Sequence, residues 1–421
     1  MIYRSLDLSI ISESANLYLE NTLIKNFDFT RLNGYWGYDA DVFWHLPFNR
    51  RYTKNKNLLN RVFRRIEYEA LMIFPDLIKP YLNLLKIDKE LTPYGLGLFL
   101  QAYSNMYRYT NEEIYILEMD NVFKLLQKNF INLPNGLGVG SANNKYNEYK
   151  KFFNTITTND TSYLVCCAEV MFGLLNYFYL TNNSEVKITI EKIANSLNHD
   201  YQFKSLDDDR GILNYSNADD NTHIFNANVL AMKAMIEAHN NGLANLDLKR
   251  IKKIFNFTWP YTQLKEIQYA GNEDRLISSN YQNADLYHTG FTLRGMLAIA
   301  IFFKMENEKN YLFQKMHSTL DDFVINGKIS IFQNKNLSEI HSVAEYIQIY
   351  CSVFEMLDDV MKKKYLDIII HNIHWMNDGK GSYFYKRFNK KKIEIYFPRW
   401  SHSVMMNSIS NLLLKLNKDN R

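Results

Sequence analysis

The sequence predicts an all-α protein folded as an (α/α)6 toroid: six helical hairpins closed into a ring, with short β-hairpins in the rim loops. Three observations predict it. First, a short pattern recurs at the start of long apolar helical segments. In four of them it opens on histidine: His223-Ile-Phe-Asn-Ala-Asn, His288-Thr-Gly-Phe-Thr-Leu, His341-Ser-Val-Ala-Glu-Tyr and His402-Ser-Val-Met-Met-Asn. Tyr163-Leu-Val-Cys-Cys-Ala and Tyr94-Gly-Leu-Gly-Leu-Phe continue the rhythm, so the unit recurs every 53 to 69 residues. That length suits two helices and a long functional loop, not a single short hairpin. Second, helical segments that are apolar nearly all round alternate with segments carrying Lys and Glu. A helix apolar on most faces is buried on most faces, so the first set forms an inner ring and the second an outer one. Third, strand signals are sparse.

In chain order, residues 10–24 read as a helix. A polar-aromatic loop follows, Asn33-Gly-Tyr-Trp-Gly-Tyr-Asp-Ala-Asp-Val-Phe-Trp-His, in which Trp36 could form part of a wall. Outer helices are expected near 57–87 (interrupted at Pro75 and Pro80), 112–129, 183–199, 245–256, 308–326 and 359–375. Inner helices are expected near 94–109, 161–180, 222–241, 286–305, 340–357 and 401–417. Apolar residues recur at helical spacing through all of them. Gly327-Lys-Ile-Ser-Ile-Phe and the alternating stretches around 382–397 read as rim hairpins. No linker divides the chain. It reads as one domain over 1–421, an N-terminal helix and aromatic loop (1–56) followed by the helical-hairpin ring (57–421).

Composition narrows the function. The chain has 421 residues, 47% of them apolar, which is ample for one large core. Aromatic residues make up 15%, with 30 Tyr, a composition that suits a cleft for flat ligands such as sugars. The net charge of +4 is spread along the chain, and its basic runs carry no nucleic-acid motif, so no nucleic-acid partner is expected. Cys166, Cys167 and Cys351 show neither a disulfide framework nor zinc spacing, which fits reduced thiols in a cytoplasmic protein. No secretory leader and no run of about 18 consecutive apolar residues is present, so no membrane span is expected.

The helix starts would converge on one central cavity, and the loops before them carry the candidate chemistry. The loop ending at His223 contains Asp219 and Asp220, either caps for the next helix or acid/base groups, and leads to Asn226. The Asp207–209 cluster lacks a following carboxylate at helical spacing, and the four histidines lie on four different helices, so no metal and no cofactor are expected. Trp259-Pro-Tyr261 could be a stacking platform. Asp285 and His288, three residues apart across a helix start, can bond, which would orient the imidazole and raise its basicity. Tyr287 precedes that histidine and Arg294 follows it. Glu339-Ile-His341 opens the next inner helix, with Glu345 one turn on. The last loop supplies Tyr383, Tyr385, Arg399 and Trp400. Arg399 could hold a carboxylate or phosphate in a forked geometry.

At these loops the chain resembles bacterial proteins of surface-polysaccharide gene clusters, the VpsJ type. The matching segments are Gly211-Ile-Leu-Asn-Tyr-Ser with His223-Ile-Phe-Asn-Ala-Asn, Trp259-Pro-Tyr, Tyr287-His-Thr-Gly-Phe, Glu339-Ile-His-Ser-Val-Ala-Glu, and Gly381-Ser-Tyr-Phe-Tyr with Pro398-Arg-Trp-Ser. They span about residues 208–417. The resemblance implies a role in capsule, O-antigen or exopolysaccharide synthesis and a ring similar to six-hairpin carbohydrate-active enzymes. This sequence departs from that pattern with Glu339 in place of Asp, and with Glu345 and His402 in place of Gln. The expected function is an enzyme acting on a glycan or glycosyl intermediate, possibly an acidic one, by proton transfer: epimerisation, lyase cleavage or hydrolysis. His288, Asp285, His341, Asp220 and Tyr385 are the candidate catalytic groups. His223, Asn226, Trp259, Tyr261, Tyr287, Arg294, Tyr383, Arg399, Trp400 and Trp36 are the candidate substrate contacts. A non-catalytic glycan-binding ring and a terpenoid-processing toroid are the alternatives, and the oligomeric state stays open.

Overall fold

The computed structural model describes residues 8–38, 46–55, 57–140, 160–218, 222–268, 285–388 and 391–418. The chain begins with α1 (Leu8–Asn33), α2 (Pro47–Lys54), α3 (Leu58–Ile73) and α4 (Ile78–Leu84). The pair α5 (Pro93–Thr110) and α6 (Ile114–Gln127) follows, then the hairpin β1 (Phe130–Leu133) and β2 (Gly136–Val139). Next come α7 (Leu164–Thr181), α8 (Ser184–His199), β3 (Phe203–Ser205) and β4 (Gly211–Leu213). Then come α9 (Phe225–Asn240), α10 (Leu248–Thr262), α11 (Leu286–Phe302), α12 (Glu306–Asp322), β5 (Val324–Ile325) and β6 (Lys328–Ile329). The chain closes with β7 (Ser338–Glu339), α13 (Ile340–Val353), α14 (Asp359–Met376), β8 (Lys386–Phe388), β9 (Lys391–Lys392) and α15 (Val404–Lys418).

The inner helices α5, α7, α9, α11, α13 and α15 pack each against the next, and α15 returns to α5, so the ring closes. Their residues are buried on nearly every face. Close approach within the ring is set by small residues. A Cβ on Gly173 would collide with the Gly97 carbonyl, so α5 and α7 touch backbone to backbone there. The core helix α7 has the length and apolarity of a membrane span, but 67% of that stretch is buried inside the ring.

Each inner helix packs on the outer helix that follows it, α6, α8, α10, α12 and α14 for the first five, and α15 packs on α1; α8, α10 and α12 also touch the next inner helix. This corrects the expected outer helix at 57–87. The interruption expected at Pro75 is present, between α3 and α4, but Pro80 lies within α4, and α3 packs mainly on α2 and not on the ring. The N-terminal helix closes the sixth hairpin instead, with Asn26 and Thr30 of α1 reaching His402 beside α15.

The short hairpins β1–β2, β3–β4 and β5–β6 and the sheet β7–β8–β9 all connect an outer helix to the next inner one. They therefore decorate the rim where the inner helices start. Asn326 and Gly327 both take positive φ, as a two-residue hairpin turn demands, so Gly327 belongs to the turn and not to a strand. Before α15 the chain makes a π-helical turn, Pro398–Ser403. Such turns carry one extra residue and re-aim the side chains on them.

Candidate active site

The site begins with a helix cap. Asp285 precedes α11, and its Oδ1 accepts from the backbone N–H of His288 at 3.0 Å. The same oxygen lies 2.9 Å from His288 Nδ1. One carboxylate thus caps the helix and holds the imidazole. Both side chains stay partly accessible, at 17% and 14%.

Tyr287 is the hub. Its ring centroid is 3.8 Å from that of His288 and 4.4 Å from that of His341, the latter nearly parallel at 11°. Trp400 stands edge-on to both Tyr287 and His341, at 5.5 and 4.7 Å. The indole is fixed by Nε1 donating to Glu339 Oε1 at 2.7 Å, and Glu339 is paired in turn with Lys386 at 3.2 Å. Arg399 lies with its guanidinium 4.9 Å from the Trp400 ring and 5.7 Å from that of Tyr94. Two inner helices, α11 and α13, and the π-turn therefore deliver two imidazoles, one guanidinium and two aromatic rings to one place.

His341 is the buried member, only 2% exposed, and its Nδ1 has no hydrogen-bond partner among the described residues. Burial holds its pKa well below the ordinary histidine range, and the nearby His288, Arg399 and Arg294 act in the same direction. It is a neutral imidazole with a free nitrogen, the state a proton acceptor needs.

Below this cluster the ring encloses a cavity of about 220 Å³, lined by Tyr94, Gln101, Glu169, Arg294, His341 and Glu345 among others. Arg294 grips Glu345 with both arms, Nε to Oε1 at 2.6 Å and Nη2 to Oε2 at 2.9 Å. The carboxylate lies so close to Gly290 that a Cβ there would overlap it. Gln101 Nε2 donates to Glu169 Oε2 at 3.0 Å. Burial raises both acids, Glu345 to about 7, against the pull of Arg294.

The structure thus unites His288, Asp285, His341, Tyr287, Arg294, Arg399 and Trp400. His223 and Asn226 are buried at the start of α9, the neighbour of α11 in the ring, with Asn226 Oδ1 unbonded among the described residues. Trp36 is 48% exposed, and the adjoining Gly37 packs on Pro398, so it stands on the same rim. Asp219 and Asp220 lie outside the described residues.

Four expectations are corrected. Trp259 is not in a loop but in the outer helix α10, stacked on Phe255 at 5.5 Å and edge-on to Tyr311 of α12. Tyr261 packs on Phe225 and Phe257 behind α9. Tyr383 is fully buried and donates to Asn26 Oδ1, tying the last loop to α1. Tyr385 is buried against Phe397, and burial together with the Glu339 charge keeps its hydroxyl protonated. Trp259, Tyr261 and Tyr383 hold the outer layer and the last loop in place, and Tyr385 packs beside Glu339, the carboxylate that holds Trp400.

Glu169 and Gln101 were not anticipated. The available signal was a carboxylate in the otherwise uncharged α7, a buried acid that must find a partner across the ring.

No family model and no curated protein sequence matches the chain. Solved structures do. A cellobiose 2-epimerase from Bacillus thermoamylovorans B4167 aligns with a TM-score of 0.54 at 13% identity, over 77% of this chain and 88% of that one. A D-mannose isomerase aligns with a TM-score of 0.55 at 13% identity, over 78% and 87%. A GH76 α-mannanase from Bacteroides thetaiotaomicron aligns with a TM-score of 0.57 at 15% identity, over 78% and 88%. At these identities the likeness is one of architecture, and it agrees with the closed ring of six inner helices: the chain is an (α/α)6 toroid.

Proposed function

We propose that the protein is a carbohydrate-active enzyme that moves a proton at a sugar carbon, an epimerase or isomerase. One observation carries this reading: His288, held by Asp285, and the buried neutral His341 lie against the same Tyr287 ring, beside Arg399. In the proposed reaction one imidazole takes the proton from the carbon next to an open-chain sugar's carbonyl. The C–H electron pair forms the enediolate, and its oxygen charge is met by Arg399. The other imidazole returns a proton to the opposite face of the same carbon, giving the epimer, or to the neighbouring carbon while the hydroxyl proton passes between the two enediolate oxygens, giving the isomer. Tyr287 is covered by the two imidazoles, so Trp400 is the aromatic ring that would meet the sugar. The likeness to an epimerase and an isomerase supports this reading.

Hydrolysis, the mannanase chemistry, fits less well. It needs two opposed carboxyl groups about 5 to 10 Å apart. The three carboxylates lining the described cavity are committed, Glu345 to Arg294, Glu169 to Gln101 and Glu237 to Lys233. A terpenoid-processing ring is disfavoured by the charged groups in the cavity. The sequence resemblance to surface-polysaccharide proteins supports a substrate among cytoplasmic sugar or glycosyl intermediates of such a polymer. The test is to incubate the purified protein with reducing monosaccharides, including uronic acids, and with oligosaccharides, and to separate the products. New epimers or ketoses are expected. New reducing ends without epimers would replace the proposal with hydrolysis.

A further inference from the structure

We propose that α3 and α4 form an interfacial anchor that docks the protein on an anionic lipid bilayer. The observation is an apolar face that stays exposed, with no helix or strand packed over it among the described residues. Of the 23 exposed large hydrophobic side chains among the described residues, ten fall between residues 58 and 84. They are not scattered. Leu58, Val62, Ile66 and Ile73 follow one another at helical spacing along α3, with Leu59 beside them and Leu77 continuing past the break. Leu58 is 76% exposed and Ile66 57%. A contiguous face of this kind on an otherwise ordinary surface marks a docking site.

Charge identifies the occupant. The stretch 47–84 holds eight Lys and Arg against three Asp and Glu, a net +5 in a chain whose total is +4, so the rest sums to −1. Arg61 and Arg65 lie on exposed positions of α3 among the apolar residues, Arg65 with 81% of its side chain accessible. Apolar side chains on one face, with arginines along the same helix, are the composition of a helix that lies in the plane of a membrane interface. Each basic residue near an anionic surface adds to the attraction. A second copy of the same face would bring like charge against like charge, so self-association is the poorer fit.

The arm also stands at the mouth of the candidate site. Gly37 before it and Glu90 after it pair through their backbones, and Gly37 packs on Pro398 of the turn that carries Arg399 and Trp400. Tyr68 of α3 lies within electrostatic reach of Tyr385 and Lys386, and Lys386 pairs with Glu339 under Trp400. Docking through this arm would bring the rim of the ring to the lipid headgroups.

Vesicle flotation tests the anchor with the full chain and needs no substrate, so its failure leaves the enzymatic reading untouched. Phosphatidylcholine vesicles with and without phosphatidylglycerol are the probes. Binding is expected to the anionic vesicles, to weaken with salt, and to fall at least about tenfold in Leu59→Glu/Ile66→Glu and in Arg61→Glu/Arg65→Glu. All four positions point away from the ring, so thermal unfolding of both variants should match the parent. The proposal is overturned if the parent ignores anionic vesicles, or if both variants bind as it does. It is overturned equally if the apolar variant abolishes a concentration-dependent dimer while no vesicle binding occurs, since a second copy would then cover the face.

Discussion

His402 is expected to make the protein acid-sensitive by a calculable amount. The imidazole is fully buried where the π-turn meets α15, with Nε2 3.1 Å from the Asn26 carbonyl and 2.8 Å from Thr30 Oγ1. Thr30 Oγ1 donates to the Asn26 carbonyl, so the ring donates from Nε2, and Nδ1 has no partner among the described residues. A second proton would have to sit on that unpartnered nitrogen. Burial accordingly lowers the pKa from 6.5 to about 4. The unfolded chain therefore binds a proton between those values that the folded chain does not. Stability rises with pH across that window and is lost as pH falls from 6.5 toward 4. At about 1.4 kcal/mol per unit the loss is about 3 kcal/mol. Urea unfolding of the parent and of His402→Gln between pH 4 and 8 isolates this contribution. Glutamine keeps an N–H for the Asn26 carbonyl and does not titrate. The variant should be the less stable at pH 8 and should close the gap on the parent by about 3 kcal/mol at pH 4. Parallel curves for the two proteins would refute the reasoning.

Further predictions concern the ring interior and the outer layer. Arg294→Met should cost about 3 to 5 kcal/mol in urea unfolding, because it strands the buried Glu345 carboxylate. Glu345 has the opposite pH sign to His402. Its folded pKa of about 7 lies above the ordinary 4.5, so its contribution to stability falls as pH rises through that interval. The stability of Glu345→Gln relative to the parent should therefore improve from pH 4.5 to 7, measured by the same titration. Trp259→Ala should lower stability by about 2 to 4 kcal/mol by emptying the contact between α10 and α12, with KM for any sugar unchanged. A raised KM there would return Trp259 to the binding site.

The ring was legible because its signal is redundant. Six helix starts repeat, and inner helices buried on all sides must be apolar on all sides. The imidazole pair was legible from the repeat, which sets His288 and His341 at neighbouring inner-helix starts, but the repeat did not reveal that His402, at the equivalent place, turns to α1 instead. What stayed hidden depends on partners far away in sequence. Residues 57–87 have a proper helical period, but periodicity cannot say whether an apolar face meets a ring or solvent. The N-terminal helix closes the ring through contacts near 355 residues distant, such as Asn26 with Gly381. Trp259 was read into a loop because Pro260 follows it. The proline sits near the end of α10, where a missing backbone donor costs little helix. Tyr383 and Tyr385 alternate like rim residues, and only the three-dimensional path of the last loop turns both inward.

The measurement that bears most directly on the central claim is solvent deuterium exchange. Each sugar that yields a product would be incubated in D2O with the parent, His288→Ala and His341→Ala, and followed by NMR. Proton transfer by the imidazole pair predicts deuterium at the carbon beside the carbonyl with the parent, and at least about a hundredfold slower entry with either variant. Product formed with no deuterium at carbon, or both variants exchanging at the parent's rate, would contradict the account.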